Sequence, residues 1–354
     1  MNVLVTGAGG LVGYETCKLF LEQGCRVVGI DNDMRGLLFG PAGSVAGNVE
    51  ELFRSFYRFV PSRADIRDRD VILKTFETSG PFDAVIHTAA QPAHDYGERY
   101  PFVNYDINVT GTMNVLEATR LHSPEAVFVF LSSVKVYGVH LNSASMEEMP
   151  TRYQFKNQIS SCISKRGVNE RMRTNSGAHN MLGMSKVAAE ALVQEYREYF
   201  GMRTHILRPG CITGARHAAV AAHGFLAYLV ECAVTGRPYV VGGDGKQLRD
   251  QIHARDVARA IWMMCQRDRT AADVYCIGGG LENALSVLEA IALLKERYGL
   301  ESNYSFGPWR KADHKVVVMD TARLEIDFPE WRPGCMTLDD VVEELVDDRR
   351  ARFQ

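Results

Sequence analysis

A chain of 354 residues with a net charge of −3, 46% hydrophobic and 23% charged residues can bury a core and exceeds the usual single-domain length, which excludes a mainly disordered protein. Acidic and basic residues are mixed along it with no basic stripe, so neither nucleic acid nor a membrane is expected as a partner, and its longest apolar runs are strand-sized. The eight cysteines show no C-x-x-C spacing, so neither a metal site nor a disulfide framework is expected.

Elements alternate from the start. Asn2 opens a strand (NVLVT) with no room before it for a secretion signal, so a cytoplasmic location is expected. A helix over Val12 to Glu22 and a strand over Cys25 to Asp31 complete a βαβ unit. Met34 to Asn48 reads as a loop, Arg58 to Asp65 as a third strand, and Phe82 to Ala89 as a fourth. Asn104 to Leu121 has helical spacing, and AVFVFLSS is the apolar run of a strand buried on both faces. Leu141 to Ala178 is polar and irregular, as in a functional loop or lid. A helix over Ser185 to Phe200 and a strand over Thr204 to Leu207 follow, and then the alternation weakens. Later helices are expected over Phe225 to Thr235, after Arg249-Asp250-Gln251-Ile252-His253, over Ser286 to Tyr298 and over Leu338 to Arg349.

The pattern predicts an α/β fold: a Rossmann-type doubly wound parallel sheet with a smaller C-terminal α/β lobe for substrate. The first domain is expected over 1–207 with about 247–270, and the interleaved second over 208–246 and 271–354.

Gly7-Ala8-Gly9-Gly10-Leu11-Val12-Gly13 fits G-x-x-G-x-x-G between a strand and a helix. Gly7 permits the tight turn, Gly10 lets backbone N–H groups approach a pyrophosphate, and Gly13 allows close helix packing, with Leu11 and Val12 also expected at the cofactor. Asp31, followed by Asn32, closes the second strand, where a carboxylate accepts from ribose hydroxyls and repels a 2′-phosphate. NAD is therefore expected over NADP, and Arg35 reads as a loop residue facing solvent or substrate.

Further segments resemble the extended short-chain dehydrogenase/reductase family of NAD-dependent nucleotide-sugar epimerases and dehydratases, within it most closely the CDP-tyvelose (CDP-paratose) 2-epimerase group, over 2–332. The resemblance assigns Asp65-Ile66 to the adenine, Ala89-Ala90-Gln91 to the cofactor and Asn108 to a brace of the sheet. In Ser132 to Gly138 it places Ser133 as the catalytic hydroxyl and Tyr137 as structural. Arg249 and Arg310 fall at the positions that grip a substrate diphosphate, Gln91 and Lys135 are further substrate candidates, and a nucleotide-diphosphate sugar is the implied partner. A homodimer through Asn104 to Leu121 and Ser185 to Phe200 is implied as well.

The family's Tyr-x-x-x-Lys is here Leu182-Gly183-Met184-Ser185-Lys186: the lysine that holds the cofactor is present and the tyrosine is leucine. Lys135, two residues beyond Ser133 and so on its face of an extended strand, is the first replacement base, or else a substrate phosphate or hydroxyl contact. His87, His94, His179, His217 and His223 are proton-shuttle candidates or core and loop histidines, and Cys211 reads as packing before nucleophile. Three functions follow: an epimerase with atypical acid/base groups, a dehydratase using the same transient oxidation, or a silent protein that binds NAD and a nucleotide sugar. The dehydratase lacks the usual Thr-Asp-Glu run at Ser132-Ser133-Val134.

Overall fold

The computed structural model describes residues 1–156, 160–221, 223–267 and 274–353, apart from the side chain of Pro333. Contacts divide the chain into two compact units, the first made of Met1–Val136, Met181–Arg208 and Ala254–Tyr275, the second of Tyr137–Asn180, Pro209–His253 and Cys276–Gln354.

The first unit is built on β1 (Asn2–Thr6), β2 (Arg26–Ile30), β3 (Phe59–Ser62), β4 (Ala84–His87) and β5 (Val127–Leu131). With Arg203–Pro209 and Val274–Ile277 they form one sheet in the order Val274–Ile277, Arg203–Pro209, β5, β4, β1, β2, β3, and every pairing from β3 to Arg203–Pro209 is parallel. β1 and β4 are buried almost throughout, as strands covered on both faces must be. One face holds a core of Leu4, Val28, Val85, Phe128, Phe130 and Ile206. On it pack the helices Arg69–Ser79, Gly111–His122 and Met181–Glu198. Helix Leu11–Glu22 instead meets Ala254–Cys265, with Phe20 edge-on to Trp262 at 4.9 Å between ring centres. The chain leaves β1 toward β2 and β3 and returns to β4 on the other side, a reversal of the Rossmann type that opens a crevice at the strands' carboxyl ends.

Two local expectations change here. The predicted loop 34–48 contains helix Met34–Phe39, a 3₁₀ turn Pro41–Gly43 and the start of helix Ala46–Ser55. Asp33 clamps this segment: its carboxylate accepts from the Ser44 hydroxyl at 2.6 Å and the Val45 N–H at 2.8 Å. The predicted helix 104–121 is interrupted by a π-turn, Asp106–Thr110, between Pro101–Tyr105 and Gly111–His122.

In the second unit, strand Leu248–His253 pairs in parallel with Cys211–Thr213 and Val316–Val317 and antiparallel with Ala284–Leu285. Its core gathers Leu226, Leu229 and Val230 with Leu294, Val342 and Leu345. The irregular stretch 141–178 folds into two hairpins, Met146–Glu148 with Tyr153–Phe155 and Ile163–Ser164 with Gly167–Val168. They are tied to this unit by Val168 N–H to Val318 O at 2.9 Å and Tyr153 N–H to Lys246 O at 2.9 Å. The expected boundaries kept 137–180 and 247–253 with the first domain; long-range backbone pairing puts both in the second unit. The expected boundary near 270 lies outside the described residues. Among the described residues no helix is long and apolar enough to cross a membrane.

Candidate active site

In the first unit the glycine turn is closed by the N–H groups of Gly7 and Ala8 donating to Ile30 O, at 2.7 and 3.1 Å, and Gly10 N–H to Gly7 O at 3.0 Å. Gly7 has a φ of +72°, and a Cβ there would meet Ala89 N at 2.8 Å, so the segments that follow β1 and β4 approach too closely for a side chain. A Cβ at Gly13 would sit 2.0 Å from Gly7 O. Helix Leu11–Glu22 therefore starts against the turn, with the first-turn N–H groups at Leu11 and Val12 being those a helix leaves without intrahelical partners. Gly13→Ala should cost about 1–3 kcal/mol of stability and weaken dinucleotide retention roughly tenfold. Thermal unfolding and the dinucleotide kept through desalting measure both; an unchanged variant would contradict this role.

Asp31 accepts from Gly9 N–H and Asp33 N–H, both at 2.8 Å, and burial pushes its carboxyl up. The backbone bonds fix the carboxylate at the edge of the glycine turn. Asn32 donates to Asp65 Oδ2 at 3.1 Å, and Asp65 is paired with Arg67 at 2.6 Å, which lowers its pKa. Ile66 points into the core, so only its backbone is left for a ligand.

The end of β4 is fixed by Asn108, whose Oδ1 accepts from Gln91 N–H at 2.8 Å and whose amide donates to Ser185 Oγ at 2.9 Å. The π-turn brings this side chain inward, and its bonds make it a brace. Gln91 itself is 1% exposed, yet among the described residues neither atom of its side-chain amide has a partner. Burying an unsatisfied amide is costly, so its geometry suits a ligand that completes it.

His87 is a core group. Thr112 donates to the Asn108 carbonyl at 2.7 Å, so Nε2 of His87 donates to Thr112 at 2.9 Å and Nδ1 accepts from Thr6 at 2.6 Å. Burial, with Lys186 nearby, lowers it to about 3, which removes it as a proton shuttle near neutral pH. His94 and His179 are half-buried, and His217 lies 3.2 Å from His223 in the second unit.

β5 stops at Leu131, and Val134–Tyr137 is a 3₁₀ turn. Lys135 is thus not on Ser133's face of an extended strand: its backbone N–H donates to Ser133 Oγ at 3.2 Å, a hydroxyl-capped turn. Lys186 is 4% exposed; Nζ donates to Leu131 O at 2.7 Å and lies 4.6 Å above the Phe130 ring. Burial lowers its pKa to about 7, opposed by Glu190. Leu182, also buried, is one turn earlier on helix Met181–Glu198. Beside them, Glu190 accepts from the Ser132 hydroxyl and pairs with Arg208 at 2.6 Å, both side chains nearly inaccessible. This network was missed, although Lys186 and Glu190 stand at the i, i+4 spacing that aligns side chains on a helix.

In the second unit Arg249 is paired with Asp313 at 3.0 Å, while exposed Arg310 donates to Ala221 O at 2.7 Å. Tyr137 is fully buried, its hydroxyl donating to Asn169 O at 3.2 Å. Cys211 is a half-buried strand residue. Asp250 is enclosed, accepting from Met319 N–H at 3.0 Å, and burial raises it to about 7. A Cβ at Gly210 or Gly278 would collide with its carboxylate, at 2.1 and 2.0 Å. Among the described residues no three His, Cys, Asp or Glu side chains gather to hold a metal.

The model of the NAD dependent epimerase/dehydratase family matches residues 3–278. The chain is 28% identical to a CDP-paratose 2-epimerase of Salmonella typhi, over 96% of this chain and 97% of that one. It is 27% identical to a UDP-glucose 4-epimerase of Bacillus subtilis, over 92% and 90%. Among solved structures, UDP-glucose 4-epimerase from Bifidobacterium longum in complex with NAD+ and UDP aligns with a TM-score of 0.79 at 23% identity, covering 99% of this chain and 98% of the other. A dTDP-glucose 4,6-dehydratase from Bacillus anthracis in complex with NAD aligns at 0.74 and 18%, covering 99% and 97%. At these identities the structural likenesses establish the fold.

Proposed function

The chain belongs to the NAD dependent epimerase/dehydratase family, and on that premise we propose that it is an NAD-dependent nucleotide-sugar epimerase. The observation that carries the reading is the buried amide of Gln91, which has no partner among the described residues and lies in the segment after β4 that closes on the glycine turn. In this proposal Gly7, Gly10, Leu11 and Val12 hold the pyrophosphate, Asp31 and Asn32 the adenosine ribose, and Asp65 with the Ile66 backbone the adenine. Ala89, Ala90 and Gln91 line the cofactor, with Asn108 bracing them. When bound, NAD supplies a reversible hydride acceptor, so one sugar carbon is oxidised and then reduced on its opposite face.

Ser133 polarises the reacting sugar oxygen. Lys186 holds the nicotinamide ribose and, with Leu182 one turn before it in place of a phenol, takes the hydroxyl proton; its buried amine near neutrality supports that role. Lys135 contacts a substrate hydroxyl or phosphate. Arg249 and Arg310 carry the charge a diphosphate requires, with Gln91 as a further substrate contact. We also infer a cytoplasmic homodimer, which the exposed Tyr105, Met113, Leu121, Tyr199 and Phe200 on the two helical segments support.

The test is to identify the dinucleotide released from purified protein and to follow CDP-, UDP-, GDP- and dTDP-sugars by NMR in deuterated water. An epimerised product without solvent deuterium is expected. Deuterium incorporation or an unsaturated sugar would replace the proposal with elimination chemistry. Tight binding without turnover would make this a silent binding protein, with Leu182 as the reason. Lys135→Ala should raise KM and leave kcat within a few-fold; a kcat loss of about a hundredfold would instead make Lys135 the base.

A further inference from the structure

Helices Met34–Phe39 and His94–Arg99 leave the sheet of the first unit after β2 and β4, the two strands that flank β1. The Phe39 ring of one nevertheless meets the Tyr96 ring of the other, edge-on, with 6.1 Å between centres and 70° between planes. Segments that depart on either side of β1 meet in this way across its carboxyl end, where the glycine turn begins. The chain around Phe39 follows the same course. Met34 packs against the core beneath Arg69–Ser79 and Gly111–His122, whereas Asn48 donates to Gly9 O at 2.9 Å and helix Ala46–Ser55 contacts Leu11–Glu22, which packs away from that core. Residues 34–48 thus run along the carboxyl edge of the sheet, over the mouth of the crevice.

This segment is tied at its base and light above it. Asp33, at a φ of +52°, holds Ser44 and Val45, so the chain between them is closed into a flap. Every residue of helix Met34–Phe39 keeps some exposure, Leu37 as much as 80%, and a segment with so little buried surface opens locally at low cost. The rings hold it down: Arg35 stacks on Phe39 with its guanidinium carbon 5.2 Å from the ring centre, and Tyr96 is backed by Tyr100 at 4.7 Å. We propose that Phe39 and Tyr96 form a latch across the crevice, and that the dinucleotide enters and leaves only when the two rings part. The latch rests on the placement of the pyrophosphate on the glycine turn proposed above.

Exchange of bound for isotope-labelled NAD in the full-length protein tests this without recourse to turnover, and competition between parent and variant for limiting labelled NAD gives the ratio of their Kd values. Phe39→Ala and Tyr96→Ala should each speed release about threefold to tenfold, the scale of one lost aromatic pair, with Kd changed less than about twofold. A gate slows entry and release alike, whereas a contact to the ligand slows release alone. The double variant should be no faster than the faster single one, because either ring alone leaves the latch open. Tyr96→Phe, which keeps the ring, should exchange at the parent rate. Unchanged exchange in the alanine variants, a Kd weakened in step with release, or additive effects in the double variant would each overturn the latch and leave the cofactor site standing. Undiminished NAD retention in Gly13→Ala would overturn the site and the latch together.

Discussion

Lys186→Met is expected to lower kcat about a thousandfold, the scale of a lost general acid–base group, while dinucleotide retention falls less than tenfold. Methionine keeps the apolar stem against Phe130 and removes a cation buried to 4% exposure. In the parent protein the neutral amine, the form able to accept a proton, predominates above about pH 7, so kcat/KM should rise with pH through a limb near 7. That limb should vanish in the variant. A parent-like rate would end the role proposed for Lys186, and a thousandfold loss with the limb intact would assign the proton to another group. Stability carries the same signature. The folded pKa lies below the ordinary 10.5, so the burial penalty is full below about 7 and is relieved as pH rises toward 10.5. Methionine should flatten that dependence.

The second large effect is on stability. Glu190→Ala takes the carboxylate partner from the Arg208 guanidinium, whose side chain is only 6% exposed, and the acceptor from Ser132. Removing one member of such a buried pair costs about 3–5 kcal/mol. Urea unfolding should show a lower midpoint at unchanged slope, and Glu190→Met with Arg208→Met should recover most of the loss. A change below about 1 kcal/mol would mean that water reaches the guanidinium.

What could be read from sequence was what is encoded locally. The glycine turn, Asp31 and the apolar runs of β1 and β5 carry their geometry in adjacent residues, and the predicted doubly wound sheet is the one observed. Lys135 misled because its two-residue spacing from Ser133 assumes that the strand runs on, whereas β5 stops at Leu131 and the Ser133 hydroxyl accepts from the turning backbone there. Loop 34–48 misled because one side chain, Asp33, supplies the clamp that composition obscured. The domain edges failed for a different reason: residues 141–178 owe their structure to partners near 246 and 318, which no local window contains. Glu190 was overlooked because its partners, Ser132 and Arg208, lie on two other elements.

The first unit is drawn from three separate segments, and two strands of its sheet, Arg203–Pro209 and Val274–Ile277, come from the later ones. A nascent chain released to about residue 136 thus exposes β5 as an open, apolar edge while the next segments are made. Pairing that edge closes a long loop, which slows folding and leaves a period when another chain can pair there instead. Truncations ending between β5 and Arg203 should accordingly aggregate rather than yield a small, stable nucleotide-binding fragment.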